Sequence, residues 1–462
     1  MHFLSLPRLA SFTALLLSAQ GVLALGACSA SDDSPETDGG DAGTHGGSLD
    51  ATAPDGGGSP PDAADGASTD SSPADADAGA SADAAADGAG LDGGVSCTDV
   101  DPLVAIPGGP HGIYVFENLD SFDYPYHPSK NGFSPASPPS FLLDAPTVCG
   151  ATVIVFWSAV DKGPDAGTQF DFSLIDSYIA PWVAAGKRVN LLIEEIRDAQ
   201  PTAPNDVTPG YVLDEVPQEA CGDDDTPYPQ FWNPTYEAAY ASYIGAVMAR
   251  YGNDKDIGYL RFGLGGGAEA EISCPDIGDD GLTESIMESY VSTIESTIAK
   301  TTHTVPVVMP NASYATAKHE NDGGLDNVRQ LEVTTAIGYG FGLGTQTLST
   351  GDMTDGGGCS ATYCLGMAQG LGHVPLYAQT STYCGGDSDG GCDLGVPPDG
   401  NGNQGPLPVL LPFGESIGAQ IFELYPQDLQ VAYDSTFPAN ASYGASYQAA
   451  LEAAAAIVGR AK

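Results

Sequence analysis

The chain has 462 residues, of which 61 are Asp or Glu and 14 are Lys or Arg, for a formal net charge of −47. No basic stripe exists to neutralise a phosphate backbone, which excludes nucleic acid as a partner. Acidity on this scale implies a soluble, self-repelling surface, to which a neutral ligand such as a carbohydrate is indifferent.

At the N-terminus Arg8 precedes an uncharged, leucine-rich run from Leu9 to about Leu25. The run is shorter than the roughly 20 apolar residues of a spanning helix but fits the core of a signal peptide. It ends in Leu25-Gly26-Ala27-Cys28, which resembles the lipobox of bacterial lipoproteins. The resemblance implies removal of residues 1–27 and attachment to a membrane through lipid on Cys28. An ordinary secretory signal with a cysteine at its end is the alternative. Ser29 stands where Asp would mark retention in the inner membrane, so the same resemblance implies the outer membrane and leaves its face open.

Residues 28–96 comprise the lipidated cysteine and a tract of mainly Asp, Gly, Ala, Ser and Pro, with no aromatics and no Lys or Arg. Such a segment cannot bury enough apolar surface to offset its ordering entropy, and its like charges repel, so a disordered, extended linker is expected. No stretch has the spaced oxygen ligands of an EF-hand. Setting Cys28 aside, eight of the nine cysteines remain, an even number in an exported chain, and disulfides are expected. Cys359–Cys364 and Cys384–Cys392 are the preferred short closures, with Cys221–Cys274 and Cys97–Cys149 as longer ones. No CxxC or HxxxH spacing suggests a metal, and no motif suggests a cofactor.

Residues 97–462 alternate strand-like and helix-like stretches. Strands are expected at 113–117, 152–157, 188–194, 258–263, 306–309, 336–343, 375–379 and 419–425. Helices are expected at 172–185, stopped by Gly186; at 236–251, opened by Asn233-Pro234; at 283–300; at 326–335; and at 447–458. The crossovers after the sixth and seventh strands are poorly defined. This order predicts an α/β fold, a single (β/α)8 TIM barrel. An open doubly wound sheet is the alternative, but the chain after Glu117 reads NLDSFDYPYHP and not a Gly-rich phosphate loop.

Active sites of such barrels lie where strands end. After the fourth expected strand the chain reads YLRFGLGGGAEAEI, residues 259–272. Alternation puts Tyr259, Arg261 and Gly263 on one face and Leu260, Phe262 and Leu264 on the other, so Arg261 should point into the barrel. The glycines would let the backbone bend and bring Glu269, or its rival Glu271, to the mouth. This segment resembles (β/α)8 glycoside hydrolases, the β-amylase family in particular, in which a glutamate after strand four is the general acid. The second unit, TVIVFWSAVDKGP with FDFSLIDSYIAPWVAAGKRVNLLI, also resembles barrel glycosidases, with Trp157 closing its strand. The resemblance implies that Glu269 is the general acid.

Glycoside hydrolysis needs a second carboxylate. Related barrels place it on strand seven, where this chain has Gln379, an amide that cannot serve as nucleophile or base. Glu423 in QIFELYPQD is the candidate in its place, with Tyr425 on the same face. Lying across the barrel from Glu269, it would favour the wider spacing of inverting enzymes, roughly 6.5–9.5 Å. A structural pair with Arg261 is its other possible role. Trp157, Glu194, Arg261, Asn311, Gln379 and Tyr425 are candidate substrate-binding residues, and Tyr339, Phe341, Tyr377 and Tyr383 are further aromatics near strand ends. The reading is thus a lipid-anchored barrel that hydrolyses glycosidic bonds, or a non-catalytic carbohydrate-binding or structural relative. The sugar and the oligomeric state stay open.

Overall fold

The computed structural model describes residues 110–117, 136–196, 207–221, 226–265, 282–310, 326–348, 365–380, 406–437 and 439–458. Glu269, Glu271, Asn311, Tyr383, the N-terminal 109 residues and all candidate cysteines except Cys149 and the backbone of Cys221 lie outside these segments.

Ten strands occur among the described residues: β1 (Gly112–Glu117), β2 (Val148–Phe156), β3 (Arg188–Glu194), β4 (Gln218–Cys221), β5 (Thr226–Pro229), β6 (Ile257–Phe262), β7 (Val307–Val308), β8 (Leu343–Leu348), β9 (Leu376–Thr380) and β10 (Ile421–Leu424). Eight form one sheet in the order β7-β6-β3-β2-β1-β10-β9-β8, and β4 with β5 makes a separate antiparallel hairpin. Every pairing in the large sheet is parallel. Its two ends meet through a parallel bridge between Val308 and Gly342, with Met309 N donating to Gly342 O and Gly342 N to Val307 O, each at 2.8 Å. The result is a nearly closed (β/α)8 barrel.

The longer helices are α1 (Ser173–Ala184), α2 (Pro234–Tyr251), α3 (Glu284–Ala299), α4 (Asp326–Tyr339), α5 (Leu365–Gly370), α6 (Leu407–Ser416), α7 (Pro426–Tyr433) and α8 (Asn440–Val458). Their starts follow local chemistry. Asn233 accepts from Thr235 N at 2.9 Å ahead of Pro234, and Thr283 accepts from Ile286 N at 3.4 Å, so both cap helices whose first turns lack internal partners. One stripe of each turns inward: Ile175, Ile179 and Trp182 on α1, and Met287, Tyr290, Val291, Ile294 and Ile298 on α3. These stripes pack on the outward-facing residues of the sheet, Val153, Val155, Leu191, Ile193, Leu260 and Phe262 among them, to form the main core. No described helix is long and apolar enough to cross a membrane.

One expected element is misplaced. The sixth barrel strand was expected at 336–343 but begins at Leu343, because α4 runs on through Tyr339 with Val333 and Ala336 buried. Gly340 ends the helix with φ at +77°, a left-handed conformation that glycine adopts without strain. Tyr339 and Phe341 therefore precede the strand and lie at the amino end of the barrel, opposite the mouth. The two crossovers that lacked a clear pattern contain α5 and α6.

Candidate active site

Alternation along the parallel strands builds the barrel interior in levels. Between β2 and β3 the facing pairs are Thr152 with Asn190, then Ile154 with Leu192, then Phe156 with Glu194, moving toward the carboxyl ends. The deepest cluster holds Tyr114, Cys149, Tyr259, Val308, Tyr377 and Ile421. Above it comes a polar level, then an apolar level of Phe116, Ile154 and Leu192 against which Phe156 and Tyr425 pack while half-exposed.

The polar level centres on Glu423 of β10 and Arg261 of β6. Glu423 Oε2 lies 3.0 Å from Arg261 Nη1, and both side chains are 0% exposed. Glu423 Oε1 accepts from Thr152 Oγ1 at 2.8 Å and from the Tyr259 hydroxyl, while Asn190 Nδ2 donates to Thr152 Oγ1 at 3.1 Å. Arg261 Nη2 donates to Gln379 Oε1 at 3.3 Å, and its guanidinium sits 4.6 Å from the centre of the Tyr377 ring. Burial outweighs that nearby cation at Tyr377, pushing its phenol up to about 12. Two buried charges persist here because they are paired and hydrogen-bonded.

The rim differs. Phe156 and Glu194, at the carboxyl ends of β2 and β3, and Tyr425, one residue past β10, are each half-buried. The Tyr425 ring meets Phe116 edge-on at 5.4 Å. Among the described residues, the carboxyl end thus presents two half-buried aromatic side chains, Phe156 and Tyr425, beside an apolar cluster, and one carboxylate, Glu194. Among the described residues no group of three or more His, Cys, Asp and Glu side chains is placed to hold a metal ion.

Several expected site residues take other positions. Trp157, expected to face substrate, is 0% exposed. The strand ends at Phe156 and a four-residue helical turn, Trp157–Val160, rotates the indole outward into the core. There it stacks on Tyr243 at 5.6 Å and contacts Tyr236 and Tyr240, while Nε1 donates to Asp161 at 3.0 Å. Arg261, Gln379 and Tyr377 are buried in the barrel interior. Glu423 is likewise wholly buried, enclosed with Arg261. Of the described candidates, Glu194 and Tyr425 reach the rim.

Sequence reasoning passed over Glu195, one residue beyond β3. Its side chain is wholly buried on the outer side of the barrel, where Tyr290 donates to Oε2 at 2.6 Å and Gly265 N donates to Oε1. Burial pushes this carboxyl up to about 8, against the pull of those donors. The turn it holds follows β6 directly. Tyr228 donates to Gly265 O at 2.9 Å and Tyr240 to Gly263 O at 3.2 Å.

No family model matches the chain, and no curated protein does. Among solved structures it is similar to the catalytic domain of β-amylase from Paenibacillus polymyxa, at 13% identity and a TM-score of 0.46, covering 76% of this chain and 98% of that one. It is also similar to an endo-1,4-β-mannanase from Rhizomucor miehei, at 12% identity and a TM-score of 0.40 over 68% of this chain and 86% of that one. A third is endo-glycoceramidase II from Rhodococcus sp., at 12% identity and a TM-score of 0.38 over 70% and 74%. These likenesses are of overall form and do not extend to the chemistry of a site.

Proposed function

We propose that the chain is an exported, lipid-anchored barrel that hydrolyses glycosidic bonds of a carbohydrate bound in its carboxyl-end mouth. The observation that carries this reading is the mouth itself, with Phe156 and Tyr425 half-exposed beside the apolar cluster of Phe116, Ile154 and Leu192 and Glu194 at the edge. Aromatic faces take up the apolar faces of sugar rings, and polar rim groups take their hydroxyls.

In this reading Glu269, on the segment that follows β6, is the general acid that protonates the leaving oxygen, with Glu271 as the alternative. Asn311, just past β7, orients substrate. The second carboxylate is better drawn from Glu194 than from Glu423, whose side chain is wholly buried against Arg261. Glu194 stands on the strand beside β6, with Gly263 N bonded to Ile193 O at 3.0 Å. It would act as base or nucleophile.

Export and the anchor belong to the same proposal: signal peptide 1–27, lipid on Cys28, a linker to residue 96, the barrel from 97 to 462, and the outer membrane as destination. That Cys149 is disulfide-bonded supports passage through an oxidising compartment. Cys97 is its proposed partner, with Cys221–Cys274, Cys359–Cys364 and Cys384–Cys392 as the remaining pairs.

A second reading, carbohydrate binding without hydrolysis, is favoured by the burial of Glu423 and by the amide of Gln379 beside it. A glycan panel assayed for both hydrolysis and binding separates the two. Hydrolysis that falls by about 10²–10⁴-fold in Glu269→Gln and Glu194→Gln, with binding kept, supports the enzyme. Undiminished hydrolysis in Glu269→Gln sinks the assignment of the acid, and binding with no hydrolysis of any glycan establishes the second reading.

A further inference from the structure

Among the described residues Glu195 is a buried acid with no cation beside it, and it has no part in the reaction as described. The groups that face it are the phenols of Tyr290 on α3 and of Tyr236 and Tyr240 on α2, together with Thr208 and the Gly265 amide. None is positively charged, so a carboxylate there would cost more than a neutral side chain of the same shape. What the carboxyl does hold is the turn after β6. Besides the Glu195 bond to Gly265 N, that turn is gripped by Tyr228 and Tyr240 on its carbonyl oxygens. The ring of Phe231 fills the space beside Gly265, where a Cβ would meet it at 2.5 Å.

We propose that Glu195, as its neutral acid, is a positioning residue that fixes the turn Gly263–Gly265 and with it the direction in which the chain leaves β6 toward Glu269. In the neutral form Oε1 accepts the Gly265 amide proton, and the hydrogen bond between Oε2 and Tyr290 reverses, the acid donating its proton to the phenol oxygen. When the turn opens, water reaches the carboxyl and it ionises at an ordinary pKa, so opening releases a proton. Opening therefore becomes easier as pH rises from the ordinary carboxylate range to about 8, and levels off above that. The functional half of this inference rests on the reading of Glu269 as the acid; the structural half does not.

The test is amide exchange of a peptide covering residues 257–265 in the full chain, followed against pH and corrected for intrinsic rates. Wild type, Glu195→Gln and Glu195→Ala are compared. Wild type should lose protection by up to about tenfold per pH unit between about 5 and 8. Glu195→Gln, whose amide reproduces both hydrogen bonds without a titrating proton, should stay protected and flat. Glu195→Ala should be poorly protected throughout. Protection in Glu195→Ala equal to wild type, or a wild-type slope retained in Glu195→Gln, overturns the proposal. With a substrate from the glycan panel, Glu195→Ala should lower kcat by about a hundredfold with little change in KM, and Glu195→Gln should lack the alkaline decline near pH 8. If exchange behaves as stated but kcat is the same in all three proteins, the link to Glu269 is overturned while the hold of Glu195 on the turn stands.

Discussion

Arg261 and Glu423 come from strands on opposite sides of the barrel and meet at 3.0 Å with no exposed surface on either side chain. The pair is surrounded by Thr152, Tyr259, Gln379 and Tyr377. This makes it an internal tie between β6 and β10.

Removing one partner strands the other charge. Arg261→Met and Glu423→Leu should each lower unfolding stability by about 3–5 kcal/mol. The double variant Arg261→Met/Glu423→Leu should lose less than either single change, because Thr152 and Tyr259 already lie 3.2 Å apart and can bond to each other. Urea unfolding of the four proteins gives the cycle. Simple additivity would show that the two residues do not act as a pair.

Another buried acid lies between α3 and α4. Glu295 is 0% exposed, its two oxygens have no hydrogen-bond partner among the described residues, and burial followed by the nearby Glu332 pushes its carboxyl up to about 10. A folded-state pKa above the unfolded value means the native state holds the proton longer. The contribution of Glu295 is therefore fully present below about pH 4.5 and is lost as pH rises toward 10. Glu295→Gln should be more stable than wild type at pH 8, and the advantage should shrink toward pH 5. Thermal melts across that range measure it, and a constant difference would contradict the assignment.

Much of the barrel was legible because its signals are local. The apolar runs of β2 and β3, the Asn233-Pro234 and Thr283 caps, and the alternation that turns Arg261 and Glu423 inward can all be read from neighbouring residues. The sixth strand was not, since the GYGFGLG run from Gly338 suits a loose strand while burial of Val333 and Ala336 continues the helix. Trp157 was misread through a single residue: a strand ending at Phe156 sends the next side chain outward. Glu195 left no pattern at all. Its partner Tyr290 lies 95 residues away and Gly265 lies 70 away, and nothing near it in sequence marks the site.

Gly265 has φ at +85°, and a Cβ there would meet Phe231 Cε2 at 2.5 Å. Gly265→Ala combines backbone strain with a clash against a packed ring and should destabilise by about 1–3 kcal/mol. Trimming the ring relieves only the clash, so Gly265→Ala/Phe231→Leu should recover part of the loss measured against Phe231→Leu alone. Chemical denaturation reads this out. An alanine variant as stable as wild type would mean that the turn does not need its left-handed residue.

The aromatics divide between core and mouth, and one pair of substitutions tests the division. Trp157 is fully buried among Tyr236, Tyr240 and Tyr243, so Trp157→Ala should cost about 3–5 kcal/mol of stability through the cavity it leaves. Trp157→Phe, which keeps a ring in the stack but loses the bond to Asp161, should cost less and leave glycan affinity unchanged. Tyr425 stands half-exposed at the rim against Phe116. Tyr425→Ala should cost less stability than Trp157→Ala yet weaken binding of a glycan by up to about tenfold, the value of one ring contact of about 0.5–1.5 kcal/mol. Calorimetric titration alongside thermal melts separates the two effects. Unchanged affinity in Tyr425→Ala would move the binding surface away from the carboxyl-end mouth, and with it the reading of Glu194 and Glu269 as the reacting pair.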